Sequence, residues 1–363
     1  MGVVTTKTIH NLSVSVNSLR SIDHREWNDF AIRAGGGLRA AAGYLRLLKL
    51  YCLFHPKRRL KAIEIFVGDS TARAKIGQAT ILQRPGAQEF VHRLLLHPDY
   101  AECWRDAFEL CLKHLGRGDY EYGSAWSLEQ APLAAFKAIP GVVVKRVHNI
   151  HVQLIDFADF KDWDDYYSGV SNNIKRNVKR AEKTFRDLAT VERHGHASWA
   201  AALTHFRLHN RLYKQKLGRE WRLRTLLSNW IKIICYAEDS AIFVACAGGV
   251  PQATMSQVCF GDKFYYLEGA REPVQYGPAW FLQIEAIRRA FDAAPKGKFI
   301  LGYVDFALHD AETSDGLLRA RKALRAKDVM TQVVEFSYEI VCIFLSVMTI
   351  INDYADECLV VMS

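Results

Sequence analysis

A strand–helix–strand unit occurs twice in this chain, and that duplication narrows the possible folds more than any other feature. In the C-terminal half the pattern predicts a strand over Phe264-Tyr265-Tyr266-Leu267-Glu268 and a loop ending at Gly277-Pro278. An amphipathic helix from Pro278 to about Asp292, a turn at Lys296-Gly297 and a strand from Phe299 to Phe306 follow. In the N-terminal half Phe90 to Leu96 reads as a strand, His97-Pro98-Asp99 as a helix start, and Tyr100 to Leu115 as a helix with Asp99 and Glu102 spaced as a capping box. Gly116 to Gly118 reads as a turn and Tyr120 to Trp126 as a strand. The closing strands share a register, Gly118-Asp119-Tyr120-Glu121-Tyr122-Gly123 lying over Gly297-Lys298-Phe299-Ile300-Leu301-Gly302. A helix N-terminus beside a sheet offers free backbone N–H groups and the positive end of a dipole, which suits an anion. Two copies imply a tandem protein with one working site and one scaffold.

The chain has 363 residues, half of them hydrophobic, enough for two domains with substantial cores and too apolar for a disordered protein. Its net charge of +9 favours anionic partners: phosphates, nucleic acid or acidic lipid. None of the eight cysteines forms a CxxC pair, and several sit in apolar runs, so reduced thiols and a cytoplasmic location are expected. The first 20 residues lack a signal-peptide pattern. Ile340 to Asn352 is uncharged and mostly apolar but shorter than the roughly 20 residues a spanning helix needs, and it reads as buried strand. A peripheral contact with an anionic membrane surface is the alternative.

Asp23 to Ala34 reads as a capped helix ended by Gly35-Gly36-Gly37, which reads as a flexible loop to the next element, the alternative being a loop close to a ligand. Lys61 to Gly68 and Ala74 to Leu82 read as strands, and Val142 to Ile155 as a strand-rich link. A boundary between about 155 and 170 gives domains 1–160 and 161–330 and an apolar tail, 331–363, expected as strands packed on the sheet. After Ser171-Asn172-Asn173 a basic helix follows, with Ile174, Val178, Ala181 and Phe185 on one face and Lys175, Arg176, Lys179, Arg180, Lys183 and Arg186 on the other. That basic face is either a solvated surface or a rim for a coenzyme, a nucleotide-linked sugar or a lipid phosphate. No recognised nucleic-acid module is present, and no DNA partner is expected.

In the second half the order is helix, helix, strand, Gly248-Gly249 turn, strand, Gly261-Asp262 turn, strand, loop, helix, strand. With the run Ser171 to Glu182, Pro251-Gln252-Ala253, Tyr265 to Gly269 and Tyr276 to Leu282, it resembles the GCN5-related N-acetyltransferase (GNAT) superfamily. More narrowly it resembles the tandem FemAB-like branch and the CelD-like acetyltransferases. The resemblance covers residues 160–306, and the N-terminal half fits as a degenerate first repeat. It implies an α/β fold of two tandem GNAT-like repeats, each a twisted mixed β-sheet flanked by helices. It also implies acyl transfer from acetyl-CoA or a longer acyl-CoA, as co-substrate rather than bound cofactor, to an amine-bearing envelope precursor. Two departures stand out: no Tyr-Lys pair follows Asp305-Phe306, and the usual phosphate loop is not literal, since Arg271 and Gly277 are six apart.

Gly277-Pro278 is the best phosphate candidate, because Pro at the first helical position has no N–H to waste and Gly admits a ligand to the backbone. The amides of Ala279 and Trp280 would bind the anion, with Arg271 adding a side-chain contact. Backbone at Leu267 and Gly269 would serve the oxyanion in this resemblance. Acyl transfer to an amine needs a base, an oxyanion donor and an acid for the thiolate. Glu268 is the candidate base, with a raised pKa expected beside Tyr266. Tyr265, Tyr266 and Tyr303 are candidate acids, and Asp305 with His309 an alternative acid/base pair. His194-x-His196 and His205-x-x-x-His209 have no third ligand at matching spacing, so surface histidines and no metal are expected. Three other readings stand beside acyl transfer from CoA. They are an aminoacyl-tRNA-dependent peptidoglycan-bridge transferase, an envelope-lipid (sphingoid-base-type) N-acyltransferase, and a non-catalytic envelope-precursor binding protein.

Overall fold

The computed structural model of the chain describes residues 12–18, 22–68, 73–128, 130–185, 187–218, 223–273, 277–304 and 311–339. The duplicated unit proves to be the end of a longer repeat. The first half runs β1 (Leu12–Ser18), α1 (His24–Arg33), α2 (Ala42–Leu53), β2 (Arg59–Val67), β3 (Ala74–Arg84), β4 (Ala87–Phe90), β5 (Leu95–Leu96), α3 (Trp104–Leu115), β6 (Gly118–Tyr122), α4 (Leu133–Lys137) and β7 (Val142–Asp156). Two connecting helices follow, α5 (Trp163–Ser168) and α6 (Asn172–Thr184). The second half repeats the succession as β8 (Ala189–His194), α7 (Trp199–Leu217), α8 (Leu223–Tyr236), β9 (Ser240–Ala247), β10 (Val250–Phe260), β11 (Lys263–Arg271), α9 (Gly277–Ala293), β12 (Lys298–Val304), α10 (Ala311–Ala323) and β13 (Lys327–Tyr338). Local chemistry sets several boundaries. Asp23 caps α1 by accepting from the amides of Arg25 and Glu26, and Ser171 caps α6 by accepting from Asn173 N.

Separate sheets for the two repeats were expected. Instead the strands form one sheet in the order β1-β2-β3-β4-β6-β13-β7-β12-β11-β10-β9-β8. The closing strand of each half completes the other half's sheet. β13 pairs with β6 (Phe336 opposite Tyr120), β7 pairs with β12 (Ile155 opposite Phe299), and β7 and β13 pair with each other from Leu154–Lys327 to Val142–Tyr338. The exchange covers the N–H and C=O edges that β6 and β12 would otherwise expose. Residues 331–338 thus belong to an inner strand of the sheet. Residues 340–363, including the apolar stretch from Ile340, lie outside the described residues.

Helices cover both faces. Residues of α5, α6 and α9 make the second half's main core, with Ile174, Val178, Leu282, Ile287 and Phe299 buried in it. Each such side chain contributes about 1.5–3 kcal/mol by leaving water. The first half's core is aromatic, with Phe90, Phe108, Tyr122, Phe136 and Phe336 in mutual contact. A third core joins the halves, where Leu38 and Tyr236 meet Val258, Tyr265 and Ile300.

Three first-repeat boundaries differ from expectation. The strand expected over 90–96 ends at Phe90, and β5 leaves to pair with β3. The strand expected to reach Trp126 ends at Tyr122, just before Gly123, whose φ is +99°. A 3-10 turn over Pro98–Cys103 precedes α3, and the His97 side chain, not an Asp99–Glu102 box, accepts from Asp99 N. Gly36 and Gly37 are packed rather than loose. A Cβ on Gly36 would lie 2.8 Å from Ala31 O, and one on Gly37 would lie 2.9 Å from the Tyr265 hydroxyl.

Candidate active site

Two irregularities in the second half's sheet create the site. β11 and β12 pair in parallel from Lys263–Lys298 to Tyr265–Ile300, and their pairing then stops, so the strands part. Across β11 and β10, Gln257 faces Tyr266 and Ser256 faces Glu268, leaving Leu267 as the extra residue of a bulge. The bulge breaks the alternation of side chains. Tyr266 packs toward the α9 core, while Leu267 and Glu268 both line a cavity on the face covered by α7 and α8.

That cavity has a volume of about 250 Å³. Its walls are mostly apolar: Leu38, Tyr44 and Trp126 from the first half, Phe206, Leu226, Ile233 and Tyr236 from the second. Its polar groups converge on Glu268, whose side chain is 38% exposed. Asn229 Nδ2 donates to Glu268 Oε2 at 3.1 Å, and His205 Nε2 lies 3.4 Å from the same oxygen. His205 Nδ1 is 2.9 Å from Thr254 Oγ1, and Lys232 Nζ donates to Asn229 Oδ1 at 3.3 Å.

A raised Glu268 pKa was expected, and the structure reverses it. Burial does push the carboxyl up, but the hydrogen bond from His205 and the charges of His205, His209 and Lys232 outweigh burial and hold it below its ordinary value. Burial, aided by the charge of His205, pushes His209 down to about 4, so His209 is neutral near pH 7. His205 and His209 are not surface residues either, being 3% and 6% exposed. The missing third partner is Glu268, which comes from β11: donor atoms of His205, His209 and Glu268 all lie within 4.8 Å of one another.

The other expected site residues fall into three groups. Tyr266, Leu267 and Gly269 lie with Glu268 on β11, and a Cβ on Gly269 would collide with the Tyr266 hydroxyl. Burial pushes Tyr266 up to about 12, against the nearby charge of Arg321. Tyr303, on β12, sets its ring edge-on to Trp126 at 5.7 Å. At the start of α9, Ala279 and Trp280 pack against the core. The open backbone expected at Gly277 is occupied by protein, because a Cβ there would lie 2.8 Å from Asn177 O and 3.0 Å from Ala181 Cβ. Gly277 is therefore required by the close approach of α6. Arg271 turns onto its own loop, donating to the carbonyls of Glu272 (3.0 Å) and Pro273 (2.8 Å). On α6, Arg176, Lys179 and Arg180 are exposed beside this junction, while Lys175 donates to Ser168 O at 2.6 Å. Asp305 and His309 lie outside the described residues.

A second, larger cavity of about 560 Å³ was not anticipated from the sequence. It adjoins the first through Trp126, is walled by Gly35-Gly36-Gly37, and is lined by Arg39, Arg93, Lys263 and Lys298, with no acidic residue among the described ones. Arg39 pairs with Glu89 at 3.2 Å, and Lys263 reaches Asp262 at 3.5 Å and Gly36 O at 3.2 Å. Arg93 donates to Gln130 O at 2.6 Å. These cations come from both halves of the chain, so only the folded tandem assembles them.

No protein-family model matches the sequence, and no curated protein matches it. Solved structures do. The chain is similar to FemX, with a TM-score of 0.65 at 12% identity over 90% of this chain and 97% of that one. It is similar to L-PGS from Bacillus licheniformis, with a TM-score of 0.50 at 10% identity over 92% of this chain and 96% of that one. It is also similar to the C-terminal domain (DUF2156) of a protein described as a lysylphosphatidylglycerol synthetase from Agrobacterium fabrum. That match has a TM-score of 0.50 at 9% identity over 90% of this chain and 95% of that one. At such identities the likeness establishes the fold alone: the chain is an α/β protein of two tandem repeats joined in one mixed sheet, a fold it shares with FemX.

Proposed function

We propose that the chain is an N-acyltransferase that moves an acyl group from an acyl-CoA to an amine of a cell-envelope polysaccharide or lipid precursor. One observation carries this reading: Glu268 stands half-buried on a bulged strand, where β11 and β12 part, in the wall of an apolar cavity. In this role Glu268, kept ionised by its depressed pKa, accepts the proton the amine loses as it attacks. The backbone at Leu267, which has no partner residue on β10, donates to the developing oxyanion. Tyr266, fully protonated at neutral pH, or Tyr303 returns a proton to the departing thiolate. The exposed Arg176, Lys179 and Arg180 of α6, beside the start of α9, hold the donor's phosphates. The cationic cavity suits an acceptor that carries phosphate. Such acceptors fit a cytoplasmic protein working at the inner face of an anionic membrane. Among the described residues no helix is long and apolar enough to cross one.

A second donor, aminoacyl-tRNA, is favoured by the exposed basic face of α6. Thermal unfolding separates the two. With acetyl-CoA or palmitoyl-CoA at about 100 times Kd, stability should rise by about 2.7 kcal/mol, and a model amine should release free thiol. Stabilisation by charged tRNA alone, lost as salt rises, selects the second donor. No response to thioester or tRNA contradicts both.

A further inference from the structure

His205 and His209 bear on the reaction proposed above only through Glu268, the carboxylate against which both are buried. The two residues lie one helical turn apart on α7, and Glu268 approaches from β11. Their donor atoms lie within 4.8 Å of one another. We propose that His205, His209 and Glu268 form a binding site for a divalent transition-metal ion of the zinc type.

One of the three ligand separations already matches coordination. His205 Nε2 and Glu268 Oε2 are 3.4 Å apart, long for a charge-assisted hydrogen bond. Two ligands each about 2.1 Å from a tetrahedral ion are separated by about 3.4 Å. The surrounding partners fix the ligands as metal sites require. Thr254 Oγ1, 2.9 Å from His205 Nδ1, can accept that N–H when an ion takes the Nε2 lone pair in place of the Nε2–Glu268 hydrogen bond. Asn229 holds Glu268 Oε2 at 3.1 Å. Two imidazoles and a carboxylate suit zinc, and the fourth position opens on the apolar cavity that Glu268 and His205 line. The inference does not depend on acyl transfer, because metal binding is measured without turnover.

The test is equilibrium dialysis of the metal-stripped full chain against zinc chloride, with bound zinc measured by mass spectrometry. The wild type should bind one equivalent. His209→Ala should weaken binding by at least about 100-fold, and Thr254→Val, which alters only the orienting partner, by about tenfold. Cobalt in place of zinc should give a visible absorption band that His209→Ala lacks. A wild type without stoichiometric zinc overturns the site. So does undiminished binding in a folded His209→Ala variant or, should that variant not fold, in Thr254→Val.

Discussion

The two halves of the molecule share a topology and differ at corresponding positions. In the first half β4 and β6 pair in parallel, ending at Phe90–Tyr122, and in the second β11 and β12 end at Tyr265–Ile300. With Tyr122 set over Leu301, Phe90 falls over Tyr266 and His92 over Glu268. Both pairs straddle a break in the pairing to the next strand. The environments then diverge. His92 is buried, with its ring edge-on to Trp27, Nδ1 2.7 Å from Arg93 O and Nε2 3.2 Å from Thr80 Oγ1. Glu268 keeps an exposed oxygen at a cavity wall. One copy ties this position up in hydrogen bonds at the wall of the larger cavity, and the other leaves a part-exposed carboxylate in the smaller one. Once each half's sheet is completed by the other's strand, a scaffold half cannot be lost without opening the working half.

The largest expected effect lies in the scaffold. Phe108 packs against Phe90, Trp104, Tyr122 and Phe136 at centroid distances of 4.7–5.2 Å. Phe108→Ala should cost about 3–5 kcal/mol in urea unfolding. If the halves unfold as one unit through the shared sheet, α9 and β12 should lose structure in the same transition. Two separate transitions would break the comparison.

Acid should reveal the buried histidine of each half. Burial holds His92 at about 4, and burial with the charge of His205 holds His209 at about 4, against 6.5 for an exposed imidazole. The unfolded chain takes up these protons near pH 6.5 and the native chain does so only near 4. The stability each neutral ring supports is therefore intact above 6.5 and falls as pH drops through that window, by on the order of 3 kcal/mol per histidine. Unfolding at pH 7 and pH 5 for the wild type, His92→Gln and His209→Gln should show each variant flattening part of the slope. An unchanged slope in both contradicts the assignment.

A smaller effect separates packing from ligand binding at α9. Gly277→Val drives a side chain into Asn177 O and Ala181, so the melting temperature should fall by the equivalent of about 1–3 kcal/mol even without ligand. Unchanged stability with weakened donor binding would restore the open cradle expected from Gly-Pro. The smallest effect belongs to α6, where Arg176→Ser with Arg180→Ser should move stability by less than about 0.5 kcal/mol, since both are exposed. The same change should reduce the salt dependence of donor binding.

Much of this architecture is legible in the chain itself. The periodicity of Ile174, Val178 and Ala181 places α6, the Gly248-Gly249 pair places the β9–β10 turn, and the shared register of 118–123 with 297–302 marks the repeat. The strand exchange is not legible, because β7 and β13 read as equally good strands whichever half they join. Nor is the environment of Glu268, since His205 lies 63 positions away and Asn229 39 away, and no spacing rule links them. The Gly277 signal was ambiguous for a physical reason: a glycine that admits a phosphate and one that admits a neighbouring helix look alike in sequence.

The central claim is that the second half works and the first half supports it. Turnover of an acyl-CoA should be compared in Glu268→Gln and in His92→Gln, the corresponding position of the first half. Glu268→Gln should lower kcat by about 100-fold or more with donor affinity kept, and His92→Gln should leave kcat within about twofold. Equal kcat in Glu268→Gln and wild type, or a loss confined to His92→Gln, would contradict the account.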